Sequence, residues 1–236
     1  MKHLDLFSGI GGFALAARNV GWETVGFSEI DLHCCQILKR HWPDVPNYGD
    51  IRNINGYAFK GPVELITGGF PCQDISVAGR GAGITGARSG LWSHMHRLIS
   101  EIRPRFALME NVAALLGRGM GRVTGDLAEI GYDAEWEIIS AASIGANHQR
   151  DRAYILAYPG GKRGERIIPQ TIPEQSAFSW CKDGRRIEDL PERSDLYESR
   201  LCCRTNGLSK EVGAYGNAIV PQVAEIIFRA IQENER

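Results

Sequence analysis

Three groups of residues in this sequence have the types and spacing to do chemistry. In "ITGGFPCQDIS" a single thiol, Cys72, follows a glycine pair and a proline. The run Val63–Thr67 before it reads as a short buried strand that stops at Gly68-Gly69. Pro71 fixes its own φ and drives Phe70 toward an extended conformation, so the chain leaves the sheet in a set direction. A side chain at the carboxyl end of such a strand points into the crevice where ligands bind. Two roles are open to Cys72 on this stretch alone. It is a nucleophile in that crevice, or it is a small buried hydrophobe, the commonest fate of a free cysteine.

The second group lies toward the N-terminus. "LDLFSGIGGF" is a strand running into a glycine-rich turn and then a helix beginning near Phe13. Glycines permit the close backbone approach that a nucleotide-type ligand needs, although the spacing is not G-x-G-x-x-G. Glu29 ends a second strand in "GFSEID", where its carboxylate can accept from ribose hydroxyls. Asp50 in "GDI" follows a presumed third strand and can accept from an adenine amine. Each acid taken singly is equally a helix cap or an exposed carboxylate; all three features in register point to a nucleoside pocket. The third group is spread out: Glu110 and Asn111 end a strand in "ALMENV", Arg150 and Arg152 approach another in "HQRDRAYIL", and Asn217 opens the last helix in "YGNAIVPQVAEII".

The elements that must position these residues alternate through the first 158 positions. Strands are expected at Lys2–Phe7, Glu23–Ser28, Val63–Thr67, Phe106–Glu110, Ala134–Ser140 and Arg152–Tyr158, with amphipathic helices at Leu32–Arg40, Leu91–Ile102 and Gly121–Ile130. Such alternation predicts an α/β fold with a mostly parallel sheet covered on both faces. After Tyr158 the composition turns rich in Pro, Gly and charge, as expected for a small irregular region. Val223, Ile226, Ile227 and Ala230 then restore helical spacing, so a C-terminal helix is expected to dock back on the main domain. The division is 1–158, 159–210 and 211–236, the last segment completing the first.

Composition narrows the class. The 236 residues are 43% hydrophobic and 23% charged, ordinary for a soluble domain. No apolar run reaches membrane-spanning length and Asp5 comes too early for a signal peptide, so a cytoplasmic protein without a membrane partner is expected. Six cysteines include the adjacent pairs Cys34-Cys35 and Cys202-Cys203. With no C-x-x-C and no zinc-type spacing, reduced thiols and no metal are expected. The net charge of −1 says nothing of nucleic acid, but Arg80, Arg88, Arg97, Arg103, Arg105, Arg118 and Arg122 outnumber the acids of residues 73–122. A phosphate-binding face and a solvated arginine face both suit that distribution.

The ordered motifs F-S-G-I-G-G-F, G-F-P-C-Q, E-N-V, R-x-R and G-N-x-x-V-P resemble those of the DNA (cytosine-5) methyltransferase family, in particular its compact phage and prophage forms. The resemblance spans nearly the whole chain outside residues 159–200. It implies a Rossmann-like methyltransferase fold, S-adenosyl-L-methionine as cofactor, double-stranded DNA as substrate and a base flipped out of its stack. It assigns Cys72 as the thiolate that adds to cytosine C6, Glu110 as the acid at N3, and Arg152, with its neighbour Arg150, as the group on the O2 side that holds the acid. Phe7, Gly9, Ile10, Gly11, Glu29, Asp50 and Asn217 become cofactor residues. Gln73, Ser76, Arg80, Arg88 and Asn111 become substrate contacts, with the glycine-rich segment after Cys72 closing as a lid. A monomer is expected, with a cognate restriction endonuclease or a recognition subunit as conceivable companions.

The chain departs from the family pattern in two places. His148 stands where the family often has Gln, a departure that bears on a supporting hydrogen bond and not on the catalytic set. The recognition region is short, about fifty residues, and "SRLCCRTNGLS" is at most a divergent counterpart of the element that organises it. Trp180, Lys182, Arg185, Arg186 and Arg204 are its candidate DNA contacts. A tRNA-methylating branch of the family and a non-catalytic nucleic-acid-binding remnant remain as alternative readings.

Overall fold

The computed structural model describes residues 1–59, 61–71, 90–144, 150–161, 166–170 and 218–235. Six strands form one sheet: β1 (Lys2–Leu6), β2 (Glu23–Ser28), β3 (Leu65–Gly68), β4 (Phe106–Val112), β5 (Tyr132–Ser140) and β6 (Asp151–Pro159), in spatial order β2-β1-β3-β4-β6-β5. The pairings among β2, β1, β3 and β4 are parallel, whereas β6 runs antiparallel to both of its neighbours. Five of the six strands therefore point the same way, and the reversed β6 carries its beginning to the end of the sheet where β4 finishes.

The parallel strands are short, apolar and buried on both faces, as required when helices cover both sides. On one face α3 (Leu91–Ile102) and α5 (Met120–Glu129) bury Trp92, Met95, Leu98, Ile99, Val123 and Leu127 against Ile66, Ala107 and Met109. On the other, α1 (Gly12–Asn19) and the C-terminal α6 (Pro221–Asn234) bring Phe13, Ala16, Val223, Ile227 and Phe228 against Leu65, Leu108 and Leu156. Two further helices are α2 (Leu32–His41), which packs Leu38 on Phe27 and Ala14, and the single turn α4 (Leu115–Arg118). α6 starts with proline at its first turn, where a missing N–H costs nothing. Asn19 and Gln232 fasten the ends together, the first donating to Glu225 and the second to Val20 O.

A buried polar chain crosses three strands beneath α6. The His3 ring lies between the hydroxyls of Thr24 (3.0 Å) and Thr67 (2.7 Å), and Thr67 donates to Asp5 (2.8 Å). Burial pulls the imidazole down to about 3 and holds the Asp5 carboxyl well above its ordinary value.

Two expectations require correction. The third strand presumed before Asp50 is a single parallel bridge between Phe27 and Asn47. Pro43 and Pro46 interrupt that stretch and lack the N–H groups a ladder needs. The last helix begins at Pro221, not at Asn217, which lies outside the described residues. Of the expected 159–210 region, 159–161 and 166–170 are described. Glu135 of β5 accepts from the backbone N–H groups of Ile167 and Ile168, and Ile168 is buried in the core. Among the described residues no helix is long and apolar enough to cross a membrane.

Candidate active site

The sheet directs four chain segments to one edge: the turn after β1, Glu29 after β2, Gly69–Pro71 after β3, and Glu110–Val112 at the end of β4. The reversed β6 adds Arg150 and Arg152 there. In its register Glu110 faces Tyr154 and Val112 faces Arg152. Arg152 is thus the diagonal neighbour of Glu110 on the same sheet face, within reach of a long side chain. Its Nε lies 2.8 Å from Glu110 Oε1.

Glu110 is 7% exposed. Burial raises its carboxyl above the ordinary carboxylate range, while the charges of Arg152 and, less strongly, Arg150 pull it back. The result is a carboxyl that keeps a proton more readily than a surface glutamate and is still held in place by a cation, the condition for a general acid near neutral pH.

Gly69 explains how this carboxyl reaches the end of β3. A Cβ at Gly69 would lie 3.2 Å from Glu110 Oε2 and 3.3 Å from Ile219 Cδ1. At Gly12 a Cβ would lie 2.8 Å from Ile219 O. Ile219 is therefore wedged between the first turn of α1 and the end of β3, beside the acid. No sequence signal beyond its place in "GNAIVP" marks it, because both of its contacts are distant in the chain.

Asn111, expected against the substrate, is placed otherwise. It is 3% exposed and its side chain is used internally: Nδ2 donates to Phe70 O (3.1 Å) and Oδ1 accepts from Val112 N (2.8 Å). Phe70 in turn packs on Trp92, whose indole N–H donates to Asp126. These contacts set the course of the chain up to Pro71. Cys72, Gln73, Ser76, Arg80, Arg88 and His148 lie outside the described residues, as do Trp180, Lys182, Arg185, Arg186 and Arg204.

The β1–β2 half is built on backbone bent by its sequence. Phe7, Gly9 and Gly11 have φ of 52°, 52° and 88°, and a left-handed run of this kind is open chiefly to glycine. Ser8 links the turn to β2 by accepting from Ser28 N and donating to Asp5 O. Glu29 Oε2 accepts from Gly9 N (2.7 Å), while Oε1 accepts from Ile30 N and Asp31 N. Asn47, which the sequence reading overlooked, holds Glu29 from behind, accepting from its N–H and donating to its carbonyl.

The glycines divide the labour differently from expectation. Space over Gly9 is open, but a Cβ at Gly11 would strike the Trp42 ring at 2.7 Å. Gly11 thus serves the packing of the turn on Trp42, while Gly9 leaves room for a ligand. Phe7 packs its side chain on the core cluster of β1 and β3. Asp50 caps the 3-10 turn Ile51–Asn53 and forms a close ion pair with exposed Arg52, which pulls its carboxyl down to about 2.

The groups around the turn suit S-adenosyl-L-methionine. Its ribose hydroxyls need an acceptor, a part the Glu29 carboxyl group beside Gly9 N can play. Its base needs an apolar face, and Ile30 (67% exposed) and Leu32 (80%) stand uncovered just beyond that carboxylate. Its chain needs backbone without side chains, as over Gly9. Ile10 is described within this turn, between the two glycines.

A cavity of about 430 Å³ lies elsewhere, at the opposite edge of the sheet between Lys2, Val63, Glu64, Arg103 and Arg105. It contains none of these groups, and Arg105 is paired there with Glu64 and Glu235.

Residues 1–213 match the family described as C-5 cytosine-specific DNA methylase. Type II methyltransferase M.Eco47II of Escherichia coli is 28% identical over 205 residues, which cover 83% of this chain and 47% of that protein. Type II methyltransferase M2.BsuMI of Bacillus subtilis is 36% identical over 165 residues, 66% of this chain and 42% of that protein. The matched chain thus spans a little under half the length of these relatives. The solved structure of S. pombe Dnmt2 methyltransferase superimposes with a TM-score of 0.69 at 17% identity, covering 100% of this chain and 99% of that one, a likeness of fold.

Proposed function

The chain belongs to the C-5 cytosine-specific DNA methylase family, and from that premise we propose that it methylates C5 of cytosine in double-stranded DNA through a transient bond between Cys72 and C6. The observation that carries this reading is the buried Glu110 carboxyl, paired with Arg152 and set beside Gly69 at the end of the strand that leads to Cys72. Family members take the methyl group from S-adenosylmethionine. When bound, that cofactor supplies an electrophilic methyl group.

The protein's own residues then have the following tasks. Cytosine C5 is a weak nucleophile until a group adds to C6, and neither atom can be reached in a stacked duplex, so the base must leave the stack, at a cost of a few kcal/mol. The Cys72 thiolate forms a bond to C6, and the displaced electron pair moves through the ring toward N3, which takes a proton from Glu110. C5 becomes electron-rich and accepts the methyl group as N3 returns its proton to Glu110 and the ring's C4–N3 double bond re-forms. Loss of the C5 proton to a base restores the C5–C6 double bond, the C6–S bond breaks, and the electron pair returns to sulfur. Arg152 keeps Glu110 oriented during both proton movements and faces the O2 side of the ring. Glu29 and the Gly9–Gly11 turn hold the cofactor's ribose and chain, and Asp50 its base. Phe7 and Asn217 complete that pocket. Gln73, Ser76, Arg80 and Arg88 close over the substrate, and DNA recognition falls to residues 159–210.

The test is transfer of a labelled methyl group to unmethylated bacteriophage DNA and, in parallel, to bulk tRNA, followed by digestion and mass spectrometry of nucleosides. Formation of 5-methyldeoxycytidine by the parent protein and not by Cys72→Ser is the expected result. 5-Methylcytidine in tRNA alone would make RNA the substrate. No transfer to either polymer, with cofactor still bound, would favour a binding remnant or a missing recognition partner.

A further inference from the structure

A half-buried cluster on α3 lies outside the site described above. α3 turns His94, Arg97 and Glu101 to a single face, as spacings of three and four residues require. That face meets the segment from Asp50 to Gly56. Arg97 Nη2 donates to Ile51 O (3.1 Å), and Nη1 donates to Ile54 O (2.9 Å) and to Glu101 (3.0 Å). Glu101 Oε2 accepts from Gly56 N (2.8 Å), and a Cβ at Gly56 would lie 2.6 Å from that oxygen.

Three backbone groups of one short segment are therefore held by a single ion pair on a helix. A surface pair at helical spacing is worth little and has no need to reach out of its helix. Here the guanidinium forks across two carbonyls, a geometry that fixes direction as well as distance. The segment so fixed is irregular, two 3-10 turns in place of a strand, and no sheet ladder holds it beyond the bridge at Asn47. Its first residue is the acid assigned above to the cofactor's base.

We propose that Arg97 and Glu101 are positioning residues that set Asp50 against the base of the cofactor, so that recognition of adenine is controlled from α3. The inference rests on the cofactor site proposed above. Asp50 as an acceptor selects a base that presents an amine. Asp50 caps the first of these turns and pairs with Arg52, so its carboxylate moves with the segment. If the segment is loosened, that carboxylate shifts relative to the base, and the preference for an amine declines more than the affinity for ribose and chain.

The test compares calorimetric binding of S-adenosylmethionine with that of its inosine analogue, in which the base amine is replaced by a carbonyl. The parent protein is expected to prefer the adenine compound by about tenfold or more, the usual effect of one hydrogen bond to a charged group. Arg97→Met is expected to weaken adenine binding by about tenfold and the inosine analogue by less than about threefold, so that the preference collapses. Glu101→Gln, which keeps an acceptor for Gly56 N–H, should retain most of the preference. In the ligand-free protein, amide exchange at residues 51–56 should accelerate in Arg97→Met. Should that variant fail to fold, Glu101→Ala provides the same comparison without leaving a half-buried acid unpaired. Equal weakening of both compounds by the variants, with the ratio intact, would reduce Arg97 and Glu101 to general packing and overturn the inference. A parent protein that binds neither compound, or both alike, would instead overturn the cofactor assignment on which it stands.

Discussion

Gly69→Ala gives a direct measure of how tightly the proposed acid is placed. The added methyl group would meet Glu110 Oε2 at 3.2 Å and Ile219 Cδ1 at 3.3 Å, closer than carbon usually sits to either atom. One of the neighbours must give way by a few tenths of an ångström. Overpacking of this size costs about 1 kcal/mol, the low end of such insertions, and should lower the melting temperature by roughly 2–4 °C in a domain of this length. Catalysis is expected to respond more sharply. If a 1 Å misplacement costs on the order of 10²-fold, a shift of about 0.3 Å costs roughly fourfold. Steady-state methyl transfer should therefore show kcat down about fourfold, with S-adenosylmethionine affinity by calorimetry unchanged. Ile219→Val removes the Cδ1 atom from one side of the clash. The double variant should recover part of the loss, a coupling that independent sites would not show. A Gly69→Ala protein with parental kcat and parental stability would mean that Glu110 is not held where the structure puts it.

Other expected outcomes concern the two halves of the site and the sheet beneath them. Glu110→Gln removes the proton donor while keeping shape, and should lower methyl transfer by about 10²- to 10⁴-fold with cofactor binding intact; a loss under about tenfold would exclude Glu110 as the acid. Glu29→Ala withdraws the acceptor of three backbone N–H groups and should weaken S-adenosylmethionine binding by about ten- to a hundredfold, while unchanged affinity would remove it from the pocket. Asp5→Asn keeps an acceptor for Thr67 and tests the buried carboxyl under α6. Its folded pKa is raised from 3.8 by burial, so its contribution is complete below that value and is lost as pH rises toward the folded pKa. The variant should therefore gain stability relative to the parent as pH is raised, with the gain absent near about pH 4 in urea titrations. A difference that does not change with pH would refute this assignment.

Much of this arrangement is legible in the sequence because periodicity and punctuation agree. The helix over Leu91–Ile102 and the strand over Glu23–Ser28 have the bounds that their apolar patterns predict. Glu110 and Arg152 are expected together only through motif order, and the register of β4 on β6 supplies the physical reason. What sequence does not carry is the direction of side chains and contacts between distant segments. Asn111 follows an acid in a functional-looking motif, yet faces inward to Phe70 O. Gly11 and Gly9 look equivalent, but only the structure separates packing on Trp42 from open space. The stretch before Asp50 forms no strand beyond one bridge, because Pro43 and Pro46 have no N–H to give a ladder. Insertion of β6 between β4 and β5 leaves no local trace, since a hairpin of either placement has the same turn and the same alternation.

The docking of α6 on α1 has a consequence for the order in which this protein can come into being. The hydrogen bonds from Asn19 to Glu225 and from Gln232 to Val20 join residues more than two hundred positions apart, and contacts of such separation form late because long loops must close first. During synthesis the glycine turn, β3 and Glu110 all leave the ribosome well before Ile219 does. Until then the gap between Gly12 and Gly69 has no wall. The nascent chain can assemble most of its sheet, yet the two halves of the site are brought into register only once Ile219 and α6 have emerged and docked, so the site stays open on that side until then.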